Sequence, residues 1–340
     1  MAREKIGRQT IGFSRLPAVV SAFSTVGKKE GQGPMGSWFH RVLEDDKCGK
    51  KTWEEAESQI LQDTILGAIA SCGKDREQMD VIFSGDLINQ LMSSCYAIRD
   101  LKIPFLGIYG ACSTMTESLL LSAAFVNGGY GDYAVATASS HYCTAERQFR
   151  LPLEHGNQKP PSAQRTVTGA GSAVIGMKEG PGIRIELATI GKIADMGIDD
   201  PNMMGAAMAP AAVDTLLRHF EDTGREPSYY DRIFSGDLGL VGKAILLDVM
   251  KGKGYDLYHN YEDCGALIFD PGQDTHSGGS GCGCSGALFS GYVCSMMEKG
   301  LWDHVLFMST GALLSTISTQ QGESIPGIAH AISLTREGGL

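Results

Sequence analysis

Cys112 lies in Gly110-Ala111-Cys112-Ser113-Thr114, between two apolar stretches, and this is where a thiol of this chain could do chemistry. Residues 103–109 have the length and the aromatic and β-branched content of a buried strand. Residues 115–126 are apolar almost all round and read as an interior helix, stopped by Asn127-Gly128-Gly129. A cysteine at the end of a central strand and the head of a core helix meets unpaired amide hydrogens and the positive end of the helix dipole. Both favour thiolate over thiol. Such a sulfur can attack a carbonyl or line a ligand pocket, whereas most unpaired cysteines only fill space.

Other residues could share that pocket. His141 follows Ser139-Ser140 at the end of another strand, and His330 sits near the C-terminus. The segment 142–168 carries Arg147, Arg150, Lys159 and Arg165, is restricted by Pro152, Pro160 and Pro161, and is expected to form a lid or a dimer arm. Asn89 and Gln90 follow a strand end and could face the same space, or simply cap a loop. Ser280 and Gly281 offer backbone donors, while Asp86 and Asp237 are expected to be turn-formers. Cys282-Gly283-Cys284 has no second pair or histidine at ligand spacing, so no structural zinc and no other metal site is expected; Cys284 reads as packing.

Composition narrows the classes. The chain has 340 residues, 43% hydrophobic and 20% charged, which suits a folded globular protein. Its 29 basic and 39 acidic residues leave a net charge of −10 with no long basic cluster, which argues against nucleic acid as a partner. Nine scattered cysteines suit a reducing compartment. Neither a signal-peptide core nor an apolar stretch of membrane-spanning length is evident, so export and membrane insertion are not expected.

The elements that must position these groups come in two copies. Residues 6–50 read as Gly-, Lys- and Ser-rich loop. Thr52-Trp53-Glu54-Glu55 is a capping box that opens a helix of about five turns, followed by a strand at residues 80–84. The block Ile82-Phe83-Ser84-Gly85-Asp86-Leu87 then reappears as Ile233-Phe234-Ser235-Gly236-Asp237-Leu238, again after an amphipathic helix, expected to start near Pro210. Gly110-Ala111-Cys112-Ser113 likewise finds a partner in Gly281-Cys282-Gly283-Cys284-Ser285, with a helix expected over residues 286–299. The reading is an α/β chain of two pseudo-symmetric βαβαβ-type halves, residues 1–180 and 181–340, in a layered αβαβα arrangement. Its site belongs beyond the carboxyl ends of the strands.

A duplicated α/β half with a cysteine at its first strand-to-helix turn resembles the thiolase-like superfamily, with Cys112 at the nucleophile position. The blocks 103–114, Ala145-Glu146-Arg147-Gln148-Phe149-Arg150, Gly278-Gly279-Ser280-Gly281-Cys282, Thr310-Gly311-Ala312-Leu313-Leu314-Ser315 and Ile325-Pro326-Gly327-Ile328-Ala329-His330 resemble the stage V sporulation protein AD family of spore-forming bacteria. That resemblance implies a protein that binds dipicolinic acid, with calcium as a companion ion, and supports its uptake into the developing spore. It also implies a homodimer without cofactors on the cytoplasmic side of the forespore inner membrane, beside membrane-embedded proteins of the same operon. The ligand-binding candidates are Cys112, Asn89, Ser140, His141, Arg147, Arg150, Ser280, Gly281 and His330. Condensing enzymes set histidine and asparagine, or two histidines, against the cysteine. Where ketoacyl synthases carry the histidine this chain has Ser235-Gly236-Asp237-Leu238, and the asparagine turn is Gly279-Ser280-Gly281-Cys282. Loss of both argues against acyl transfer. The alternative is an acyltransferase or condensing enzyme using Cys112, with His330 or His141 as base.

Overall fold

The computed structural model describes residues 4–149 and 159–337. The first part of the chain forms β1 (Thr10–Gly12), β2 (Ala18–Val26), α1 (Lys28–Gly31), β3 (Arg41–Val42), α2 (Trp53–Ser71), β4 (Val81–Gly85), α3 (Met92–Arg99) and β5 (Phe105–Gly107). Then follow α4 (Thr114–Asn127), β6 (Tyr133–Ser140), α5 (Tyr142–Phe149), β7 (Arg165–Thr166) and β8 (Gly169–Gly176). The second part forms β9 (Gly182–Thr189), α6 (Met204–Thr223), β10 (Arg232–Ser235), α7 (Gly239–Gly252), β11 (Tyr261–Asp263), α8 (Cys264–Ile268), β12 (Gly279–Ser280) and α9 (Cys282–Leu288). After α9 come α10 (Cys294–Glu298), β13 (His304–Ala312), α11 (Thr316–Gln320) and β14 (Gly327–Glu337).

Strands run in the order β5-β4-β6-β8-β2 and then β9-β14-β13-β10-β11. The two sets meet where Ala18 and Val19 of β2 pair with Arg184 and Ile183 of β9. The repeated block supplies matching parallel pairs: β4 on β6, with Val81 opposite Ala134, and β10 on β13, with Arg232 opposite Val305. Between the sheets lies α4, touching β4, β6 and β8 on one side and β13 and β14 on the other, with α9 beside it. Helices α2 and α3 cover one outer face, and α6 and α7 the other. The result is the five-layer αβαβα order.

Local chemistry explains the elements. Thr52 Oγ1 accepts from the Glu55 amide and Glu55 reaches back to the Thr52 amide, so α2 starts where its box stands. Its inward stripe is Ala56, Ile60, Leu61, Ile65, Ala68 and Ile69. Helix α4 is the interior helix expected, burying Met115, Leu119, Ala123 and Val126 between the sheets, and Gly129 ends it with φ +72. Each fully buried Leu or Met of this kind is worth about 1.5–3 kcal/mol.

Several boundaries differ from the sequence reading. The expected buried central strand at residues 103–109 is only β5, at the sheet edge, with Leu106 and Tyr109 exposed. An apolar strand can face a partner as well as a core, and composition does not separate the two. Residues 6–50 are not all loop: Ala18–Val26 is the strand at the joint between the sheets. Helix α6 starts before Pro210, which lies inside it. The second central helix starts at Cys282 and passes through a π-turn at Phe289–Val293 before α10, so Cys282 and Cys284 are helical. Among the described residues no helix is long and apolar enough to cross a membrane.

Candidate functional site: a cysteine facing a carboxylate

The turn that presents Cys112 is held by its own side chains. Ser113 Oγ donates to the Gly110 carbonyl at 2.7 Å, and Thr114 Oγ1 donates to the Ala111 carbonyl at 2.7 Å while accepting from the Gly110 amide. Ala111 sits at φ 49, a left-handed conformation that an alanine adopts only under constraint. This geometry points Cys112 into a space closed by the second half, leaving the residue 6% exposed. The sulfur lies beside the Asp237 carboxyl group, with the Gly281 amide also close.

Asp237 follows β10 and is buried. It accepts from the Gly281 amide and from Thr310 Oγ1, each at 2.8 Å, while Gln164 Nε2 clamps its backbone by donating to the Asp237 and Gly279 carbonyls at 2.7 Å. Burial raises the Asp237 carboxyl to about 7, opposed by the hydrogen bonds from Gly281, Cys112 and Thr310. The Cys112 thiol is pushed well above its ordinary value, first by burial and then by Asp237. This overturns the thiolate expected from the helix head: the dipole term is outweighed by desolvation and a carboxylate neighbour. Asp237 is therefore more than a turn-former, and its contact with the sulfur was invisible in the sequence. Its equivalent Asp86 does hold a turn, accepting from the Ile88 and Ser94 amides.

Two spaces meet in front of this pair. The inner one, about 40 Å³, is lined by Cys112, Tyr109, Glu146, Thr166, Ser280 and Ala312, among others. The outer vestibule, about 860 Å³, is edged by Asn89, Gln90, Arg147, Gln148, Thr316 and Gln320. Phe149, Pro201 and Leu314 line both. Arg147 is ion-paired with Glu54 at the vestibule wall. Gln148 bridges the rim, accepting from the Asn89 amide at 2.8 Å and donating to the Leu87 carbonyl at 3.1 Å.

The remaining candidates are placed elsewhere. A ring nitrogen of His141 pairs with the Asp46 carbonyl at 3.0 Å and the other accepts from the Cys143 amide, with Trp53 against the ring. His330 accepts from the Gly191 amide at 3.2 Å. Neither histidine lines the inner space or the vestibule, because each is consumed in holding a loop. Ser140 donates to the Val167 carbonyl and accepts from the Gly283 amide, fastening α9 rather than facing a ligand. Ser280 lines the inner space, and Gly281 acts through its amide on Asp237. Arg150 lies outside the described residues. Sequence reading missed Glu57, a buried carboxyl that accepts from Thr144 Oγ1 at 2.6 Å and Ser139 Oγ at 3.1 Å. Burial, then Asp86, pushes it to about 8. Its signal was a charge inside the apolar stripe of α2. Among the described residues no three His, Cys, Asp or Glu side chains are grouped to hold a metal ion.

Residues 7–335 match the family model described as stage V sporulation protein AD. The chain is 44% identical over 333 residues to stage V sporulation protein AD of Bacillus subtilis (strain 168), covering 98% of each chain. It belongs to the stage V sporulation protein AD family. Solved structures place this member in the thiolase-like fold. It superposes on 3-oxoacyl-[acyl-carrier-protein] synthase III from Aquifex aeolicus VF5 with a TM-score of 0.59 at 11% identity, covering 94% of this chain and 99% of that one. OleA of Xanthomonas campestris, as a variant crystallised with lauric acid and lauroyl-CoA, gives 0.59 at 10% identity, covering 94% and 99%. In this chain the thiolase-like fold is kept, and a carboxyl group is the side chain beside the cysteine.

Proposed function

We propose that this sporulation protein binds dipicolinate, supports its uptake into the developing spore, and does not condense acyl groups. One observation carries the reading: Cys112 is buried against Asp237, and burial together with that carboxyl group raises the thiol's affinity for its proton, in front of a vestibule rich in neutral donors. A thiol held protonated is a poor nucleophile. The inner space takes little more than a water molecule, so the planar dianion sits in the vestibule. Phe149, Pro201 and Leu314 provide flat apolar walls for its ring, and Arg147, Asn89, Gln148 and Thr316 supply donors for its carboxylates. Cys112 and Ser280 then close the inner end.

Calorimetric titration with dipicolinate, with and without calcium, tests this. Saturable binding is expected, weakened about tenfold or more, or 1.4 kcal/mol, in Arg147→Gln and Phe149→Ala. Absence of heat with the intact protein, or unchanged affinity in both variants, would refute the site. The second reading, acyl transfer through Cys112, is favoured only by the strained turn that keeps the thiol at the head of α4, and it would need Asp237 as base. Its test is a mass increase on Cys112 after incubation with acyl-coenzyme A.

The same reading places the protein at the cytoplasmic side of the spore inner membrane, beside membrane-embedded partners, as a homodimer. The edge strand β5 supports the dimer, since among the described residues no strand pairs with its outer backbone edge and Leu106, Tyr109, Met92 and Tyr96 are exposed around it.

A further inference from the structure

A second polar cavity, about 470 Å³, opens beside Tyr142 at the start of α5, whereas Arg147, Gln148 and Phe149 at the end of that helix line the vestibule. Lys29, Arg165 and Lys159 line it with His276, and Tyr142 forms its floor. The Arg165 guanidinium lies 3.6 Å from the centre of the Tyr142 ring, and Lys159 Nζ is 4.9 Å from the same ring. Lys159 is also paired with Glu146 at 2.7 Å. Arg165 Nε is buried with no hydrogen-bond partner among the described residues. The opposing charge on the lining is Asp274, which is 89% exposed and 3.9 Å from His276 Nε2.

Hydrogen bonds tie the walls together. Asp270 and Gln273 form a reciprocal cap on the loop that carries Thr275 and His276, and Gln273 Nε2 donates to the Lys29 carbonyl at 2.7 Å, tying that loop to α1. Thr275 is buried at the cavity edge. A guanidinium stacked on an aromatic ring keeps its donor edge in one plane, the geometry that recognises oxyanions. Lys29 and Arg165 face one another, so the Lys29 ammonium is depressed first by burial and then by Arg165, against the opposing pull of Asp274 and Glu30, and an added anion would relieve the repulsion.

We propose that this cavity is an anion site that takes a phosphate group on Arg165 and Lys29, with Thr275 and His276 at its edge. It is separate from the vestibule and does not rest on the dipicolinate reading. The volume exceeds that of a bare phosphate ion and leaves room for the rest of a larger molecule, either a soluble phosphate ester or a lipid headgroup.

The test has two arms on the full chain. Calorimetry with inorganic phosphate and glycerol 3-phosphate should show saturable binding, weakened about tenfold or more in Lys29→Gln and in Arg165→Gln. Co-flotation with phosphatidylglycerol vesicles, abolished by the same substitutions, would assign the lipid source, while phosphate binding without flotation would assign the soluble one. Lys29 is a partly exposed residue of a surface helix, so Lys29→Gln should keep the wild-type melting temperature and decides the matter should Arg165→Gln fail to fold. Arg147→Gln, aimed at the vestibule, should bind phosphate as the wild type does, which separates failure of this site from failure of the other. No saturable phosphate binding and no flotation, or either one unchanged in Lys29→Gln, would overturn the proposal.

Discussion

At Cys112 two acids stand side by side in a buried space that solvates either anion poorly. The sulfur lies beside Asp237, and the Asp237 carboxyl is in turn held by Gly281 and Thr310. Replacing an imidazole by a carboxyl group at this point inverts the electrostatics, since a cation would lower the thiol pKa and a carboxylate raises it. Iodoacetamide at pH 8 should therefore modify Cys112 far more slowly than the exposed Cys95, as read by peptide mass mapping. Asp237→Asn removes the opposing charge and should speed Cys112 modification. Fast labelling of Cys112 in the wild type, or no acceleration in the variant, would contradict this account of the pair.

At the level of elements, two short pieces decide the site. The β12–α9 turn sets the Gly281 amide on Asp237, and it needs glycine there: φ is +99, and an added Cβ would lie 2.7 Å from Ser140 Oγ. Gly281→Ala should cost about 1–3 kcal/mol in denaturant unfolding from backbone strain alone. A loss indistinguishable from zero would mean that the turn relaxes freely. In the proposed dimer, strand β5 serves association instead of burial. Leu106→Asp places a charge on its exposed apolar side, so sedimentation equilibrium should show a shift from dimer to monomer with no loss of helical signal. An unchanged dimer would move the interface elsewhere.

Across the whole molecule the five layers bury many ionisable groups, and their balance shapes stability against pH. Glu57 at about 8, and Asp237 and Glu30 at about 7, keep protons in the folded state that the unfolded chain releases near pH 4, in each case first because of burial. Their raised values favour the fold at low pH, and this stability is lost as pH climbs through 7 to 8. His141, His219 and His330 are lowered by burial, the last two to about 3 and about 4. They act in the opposite sense, withdrawing stability as pH falls below about 6.5, where the unfolded histidines take up protons. From about pH 6.5 to 8 the acids alone remain, so the melting temperature should fall over that window. Glu57→Gln should flatten the fall, and a melting temperature that is constant or rising there would refute the balance.

The sequence alone determined the α/β class, the internal repeat, the capping-box start of α2, the interior character of α4 and the turn that carries Cys112. Each of these is encoded in neighbouring residues, as a cap, a periodicity or a run of apolar side chains. The neighbours of Cys112 are not: Asp237, Gly281, Thr310 and Gln164 come from distant parts of the chain, and only closure of the two sheets over α4 brings them together. Closure also removed His141 and His330 from the cavity by giving their ring nitrogens to the Asp46 carbonyl and to the Cys143 and Gly191 amides. Burial and long-range hydrogen bonding set proton affinity, and both depend on which surfaces meet. The tertiary structure therefore decided whether the sulfur carries its proton, whereas the order of residues decided only where the sulfur stands.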